Sequence, residues 1–186
     1  MIFRRISRFH FLSLGKTKFM AKRTLILQGK KVRQKIERMV HQIIEEFYKE
    51  KQVTIIGIKN KGAQLSKIIK ERLEEIDPFK IEYLELKLDK DDSLNHPINL
   101  MPKPDTLANK RVILIDDVLN SGRTMIYATR FILDEPVKSL TTLCLVDRIH
   151  RRFPIKADIV GLSLSTTIQE HILVDLKDGK EAIYLE

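Results

Sequence analysis

The chain has 186 residues, 43% of them hydrophobic and 32% charged, which suits one domain with its own core and excludes a disordered chain. No run approaches the roughly 18 apolar residues of a membrane span, and the single cysteine, Cys144, excludes an internal disulfide and a thiolate zinc cluster. A reducing, cytoplasmic setting is expected. The formal net charge is +9, but residues 1–19 hold Arg4, Arg5, Arg8, Lys16 and Lys18 and no acid. Without those five, 29 Lys/Arg face 25 Asp/Glu, so the body is only mildly basic.

Three readings compete for the basic tail 1–19. It resembles an organelle targeting segment, a basic membrane-surface helix, or a dispensable upstream addition with Met20 as the start. The last is favoured, because Met20-Ala-Lys-Arg-Thr opens directly onto the first periodic segment and no small-residue cleavage site follows an apolar region. The expected division is a tail, 1–19, and one domain, 20–186.

In the body, Val32, Ile36, Met39, Val40, Ile43, Ile44 and Phe47 recur at helical spacing and predict a helix within 28–50. Val53–Ile58 is a continuous β-branched run, expected as a strand covered on both faces. A turn at Lys59–Gly62 leads to a helix over 63–76, stopped by Asp77-Pro78. Residues 80–88 alternate as a strand. Residues 89–110, with Pro97, Pro102 and Pro104, show no periodicity and predict a long loop, functional or disordered. Arg111–Asp116 predicts the most apolar strand, 124–133 a helix and 140–146 a strand. A basic turn, 148–156, and short strands near 158–162, 172–176 and 182–185 complete the chain. This alternation predicts an α/β fold, an open, mostly parallel sheet flanked by helices.

The densest chemical signal is Val112-Ile-Leu-Ile-Asp-Asp-Val-Leu-Asn-Ser-Gly-Arg-Thr124. It is a buried strand ending in two carboxylates, then a small flexible loop, then a helix start. Free N–H groups at a helix N-terminus attract phosphate, Gly122 admits a close anion, and Ser121 and Thr124 add hydroxyls. Carboxylates beside such a cradle suit ribose hydroxyls or magnesium. The plainer alternative is that Asp116 and Asp117 close a strand and Ser121 caps the next helix. The run is neither a Walker A loop nor G-x-G-x-x-G.

These 13 residues resemble the diphosphoribosyl-binding signature of type I phosphoribosyltransferases. Leu25–Leu27, Gly57–Gly62, Lys90–Asp92, Val146–Arg151 and Pro154–Asp158 extend the resemblance to the pyrimidine-operon attenuation regulators, which are also uracil phosphoribosyltransferases. The resemblance implies that Asp116 and Asp117 hold the ribose hydroxyls of phosphoribosyl diphosphate and carry the catalytic site. Asn120, Ser121, Gly122, Arg123 and Thr124 would wrap the 5′-phosphate. Lys59, Asn60, Lys61 and Gly62 would form a strained diphosphate loop. The segment 89–105, with Lys90, Asp91 and Asp92, would be a mobile lid, and 157–186 a hood whose first part, Ala157–Thr167, covers the base. Mg²⁺ would bridge substrate oxygens, with Asp116 and Asp117 as candidate ligands. Implied partners are phosphoribosyl diphosphate, a nucleobase, the nucleoside monophosphate product, messenger leader RNA and further copies in a homodimer or higher oligomer. No membrane partner is implied.

The basic cluster Arg148, His150, Arg151, Arg152 and Lys156 is read either as a solvated turn or, from the resemblance, as an RNA-facing patch; Phe153 is its only aromatic. His10, His41 and His96 look incidental, and His171 lies near the expected hood. Four departures from the family pattern stand out. Lys61 replaces an arginine, Asn120 replaces an aromatic residue, the lid is short and Pro-rich, and no basic residue stands near Leu162. In 6-oxopurine phosphoribosyltransferases the position of Asn120 is typically aspartate, which handles a purine proton. An amide cannot act as that base. The leading reading is therefore an enzyme transferring the phosphoribosyl group to uracil. The alternatives are a nucleotide-sensing RNA-binding regulator with little turnover, and a purine phosphoribosyltransferase.

Overall fold

A computed structural model describes residues 23–76, 80–89, 96–167 and 169–186. The tail 1–19 and the lid residues Lys90, Asp91 and Asp92 lie outside them. In chain order the elements are β1 (Thr24–Gln28), α1 (Lys30–Phe47), β2 (Gln52–Ile58), α2 (Lys61–Ile76), β3 (Lys80–Lys87), β4 (Asn99–Met101), β5 (Arg111–Leu119), α3 (Arg123–Leu133), β6 (Ser139–Asp147), β7 (Ile159–Ser163), β8 (Ile172–Asp175) and β9 (Ala182–Leu185). Among the described residues no helix is long and apolar enough to cross a membrane.

The main sheet runs β4-β3-β2-β5-β6-β7. All its pairings are parallel except that of β4 with β3. The apolar strands explain this. Val53 to Ile58 are buried without a break, as in a strand with helices on both faces. Alternate residues serve opposite faces. Ile55, Ile113 and Ile115 join the stripe of α1 (Val32, Ile36, Met39, Val40, Ile43, Phe47) and Leu65, Ile69 and Leu73 of α2. Ile56, Ile58, Val112 and Leu114 pack with Met125, Ala128 and Ile132 of α3 and with Leu107. The chain leaves β2 for β3 on one side and returns to β5 on the other. The strand order thus switches between β2 and β5, where open α/β sheets bind ligands beyond their carboxyl ends.

Four expectations change. First, the expected loop 89–110 holds ordered structure in its described part, 96–110. Leu100 packs on the second core, Leu107 is buried, and β4 adds an antiparallel edge strand. The carboxylate of Glu135, just past α3, accepts the Leu107 N–H at 2.8 Å and the Thr106 hydroxyl. Those two donors, the hydroxyl foremost, hold its pKa below the ordinary carboxylate range. A three-residue strand between prolines is too short to show a period.

Second, β5 continues through Leu119, so Asp116 and Asp117 sit within the strand. Third, α2 begins at Lys61, so the turn after β2 is shorter than expected. Fourth, the second sheet takes a strand from each end of the domain. Its order is β1-β9-β8, all antiparallel, while β7 within the expected hood 157–186 is the edge of the main sheet. β7 is drawn there because Ile159 and Gly161 pack beside Leu145 and Met39. Arg33 of α1 ties down the small sheet through Glu181 at 2.6 Å, and the Gly29 N–H donates to the Glu181 carbonyl at 2.7 Å.

The described residues, from Arg23 onward, hold two hydrophobic core clusters. Deleting residues 1–19 is therefore expected to leave the thermal midpoint and cooperativity of unfolding unchanged. Loss of soluble, cooperatively folding protein on truncation would show the tail to be structural.

Candidate active site

At the carboxyl end of β5 the chain forms a cleft of about 410 Å³, lined by Asp116 through Met125 and by His171 and Ile172 of the small sheet. The two carboxylates are not equivalent. Asp116 is only 3% exposed, and its Oδ1 accepts the Asp117 N–H at 3.0 Å. Asp117 is partly exposed, the better placed of the two to meet a ligand hydroxyl.

The loop after Asp117 lines the cleft. Gly122 adopts φ 84°, a left-handed conformation that glycine takes without steric cost, and leads into α3. Ser121 Oγ accepts the Arg123 N–H at 3.3 Å. Arg123, Thr124 and Met125 of the first turn of α3 line the cleft, at the helix end whose N–H groups lack helical acceptors.

The turn after β2 lies against β5 at Ile115 and Asp116, just before this loop. Asn60 has φ 78°, the left-handed backbone expected of a strained loop, and asparagine tolerates it better than most residues. A Cβ added at Gly62 would lie 2.9 Å from both Asp116 Oδ1 and the Ile115 carbonyl. Gly62 is therefore pressed against Asp116, while Lys59 and Asn60 stay exposed outside the cleft lining.

The basic cluster divides. Arg148 is 4% exposed and is not a surface residue. Its Nη1 donates to Asn120 Oδ1 at 2.6 Å, its Nε to Thr166 Oγ1 at 2.5 Å, and its Nη2 to the Thr167 carbonyl. Arg151 pairs with the buried carboxylate of Asp147. His150 is half-buried, and Arg152 and Lys156 are exposed. The RNA-facing expectation thus fails for Arg148, because a guanidinium with partners inside the fold does not turn outward. The loop also supports the turn Asn120–Thr124. The N–H groups of Arg152 and Phe153 donate to the Ser121 carbonyl at 2.9 and 3.1 Å, and Ile155 closes over Gly122.

Sequence reasoning gave His171 little weight, yet it lines the cleft. It gave Arg148 no inward role. The one available signal was its place directly after the apolar strand β6.

The family described as phosphoribosyl transferase domain matches residues 23–178. The chain belongs to the type I phosphoribosyltransferases. This phosphoribosyltransferase is similar to proteins named bifunctional protein PyrR. The one from Citrifermentans bemidjiense is 32% identical, the match covering 87% of this chain and 96% of the relative. The one from Geobacter sulfurreducens is 36% identical over 83% and 92%. Among solved structures, the hypoxanthine phosphoribosyltransferase of Trypanosoma cruzi superposes with a TM-score of 0.70 at 12% identity, covering 86% of this chain and 95% of that one. That of Staphylococcus aureus gives 0.65 at 19%, covering 77% and 79%. At such identities the structural likeness speaks for the fold.

Among the described residues of the phosphoribosyltransferase, no group of three or more His, Cys, Asp or Glu could hold a metal ion. Asp116 and Asp117 beside an anion cradle fit a magnesium ion held chiefly by substrate oxygens, as Mg²⁺ commonly is.

Proposed function

We propose that the protein transfers the phosphoribosyl group of phosphoribosyl diphosphate to a nucleobase, uracil in preference, with release of diphosphate. The observation that carries this is the packing of the turn after β2, through Gly62, against Asp116 at the switch point of the sheet, beside the cleft lined by Asn120–Thr124. Asn120–Thr124 would cradle one anion, and the acidic pair would lie between it and the turn.

Displacing diphosphate from the anomeric carbon builds cationic character on the sugar and sheds a polyanion. Asp117, with Asp116 behind it, would hold the ribose hydroxyls and face the developing positive charge. The N–H groups of α3 would fix the 5′-phosphate, and Lys59 to Gly62 would take the diphosphate. Bound magnesium would neutralise that leaving group. Catalysis by such a site is positioning and electrostatics.

The uracil preference rests on Asn120, which cannot take a purine proton. With phosphoribosyl diphosphate and magnesium, diphosphate release is expected to be faster with uracil than with hypoxanthine or guanine. Turnover of either purine well above uracil would overturn the pyrimidine assignment. Asn120→Asp is expected to retain phosphate binding, because the cradle is mainly backbone.

A second reading, binding of leader RNA controlled by the nucleotide site, is favoured by one observation. The loop that carries exposed Arg152 and Lys156 is hydrogen-bonded to the phosphate loop at Ser121. Its test is a mobility shift on leader RNA whose affinity falls with salt. Tight nucleotide binding without turnover of any base would favour this reading over the enzyme.

A further inference from the structure

Arg148 and Asn120 form a contact that neither the anion cradle nor the acidic pair explains. Asn120 is exposed at the mouth of the cleft, while Arg148 is buried beneath it. A guanidinium offers donors only, so the amide beside it must present its oxygen. The contact Arg148 Nη1 to Asn120 Oδ1 at 2.6 Å therefore settles the amide's orientation chemically and leaves Nδ2 as its outward end. The guanidinium cannot swing away. Its Nε and Nη2 are held by Thr166 and by the Thr167 carbonyl, and Glu170 Oε2 accepts the Thr167 N–H at 2.7 Å. The same contact fastens the phosphate loop to the segment that leads into β8 and the cleft residue His171. The turn that sends Arg148 inward also carries strain. The next residue, Ile149, has φ 49°, which a β-branched side chain seldom adopts.

We propose that Arg148 is a positioning residue that makes Asn120 a fixed hydrogen-bond donor toward the nucleobase, so that the site selects a base presenting a carbonyl at that point. This deepens the functional reading above and rests on it. Arg148 does not touch the ligand; it acts through the amide.

The test measures uridine monophosphate and ribose 5-phosphate binding by calorimetry, since the second ligand lacks the base. Asn120→Ala and Arg148→Met are each expected to weaken uridine monophosphate roughly tenfold more than they weaken ribose 5-phosphate, the value of one hydrogen bond of about 1.4 kcal/mol. The double variant should lose no more than either single one. Asn120→Asp keeps the shape and the Arg148 contact but removes both donors. Relative to ribose 5-phosphate, it should weaken uridine monophosphate as much as Asn120→Ala does. Because Asn120 is exposed, its variants decide the matter even where Arg148→Met fails to fold. Equal losses for both ligands would show that the pair only props the phosphate loop, and unchanged affinities would remove it from recognition. Either result overturns the inference and leaves the phosphoribosyl site standing. Failure of the unmodified protein to bind ribose 5-phosphate would overturn the functional reading and the inference together.

Discussion

Gly62→Ala is expected to lower kcat/KM for phosphoribosyl diphosphate by about 100-fold while the protein still folds. The added Cβ would lie 2.9 Å from Asp116 Oδ1 and from the Ile115 carbonyl, and 3.1 Å from Asp116 Cα. Two of these three atoms are backbone of the central strand β5, so relief must come from α2 and the turn before it. A small displacement there separates the diphosphate turn from the acidic pair, and a misplacement near 1 Å costs on the order of 100-fold in a reaction that depends on positioning. Folding suffers less. Overpacking costs roughly 1–3 kcal/mol, and alanine in place of glycine at a helical position returns up to about 1 kcal/mol. Steady-state kinetics with varied phosphoribosyl diphosphate, beside a thermal melt, check this. Activity within a fewfold of the unmodified protein would show that the turn does not need to lie on Asp116.

Asp117→Asn is expected to weaken phosphoribosyl diphosphate binding roughly 10- to 100-fold, the value of a hydrogen bond to a charged acceptor, about 1.5–3 kcal/mol. The fold should be indifferent. Asp117 is partly exposed, and its backbone N–H, which donates to Asp116 Oδ1 at 3.0 Å, is untouched by the change. The melting midpoint should therefore move by no more than about 2 °C. Asp116→Asn tests the other carboxylate less cleanly. That group is buried against Gly62, so a binding loss there would mix ligand contact with loop position. Unchanged affinity in Asp117→Asn with an unchanged midpoint would remove the ribose role.

The amino-acid sequence by itself determined the helices, the parallel strands and the turn between β5 and α3. The apolar stripe of α1, the unbroken run Val53–Ile58 and the sequence Asp116-Asp117 to Thr124 are each a local pattern. A period of 3.6, a β-branched run or a glycine at a turn states a residue's own burial or backbone angle without reference to a partner. Only the tertiary structure decided the rest, because each missing piece is a relation between distant segments. Leu25 to Leu27 become a strand only through pairing with β9 at the other end of the domain. Asn99–Met101 are held as a strand by β3, against the local evidence of their prolines. Asp116 and Asp117 look alike in sequence and differ in exposure because Gly62 closes over one of them. Arg148 reads as one more cation in a basic turn, and its inward course depends on Asn120, Thr166 and Thr167 lying where the ends of β5, β6 and β7 converge. Charge and spacing show that a guanidinium is present; which way it faces depends on the acceptors that the fold brings to it.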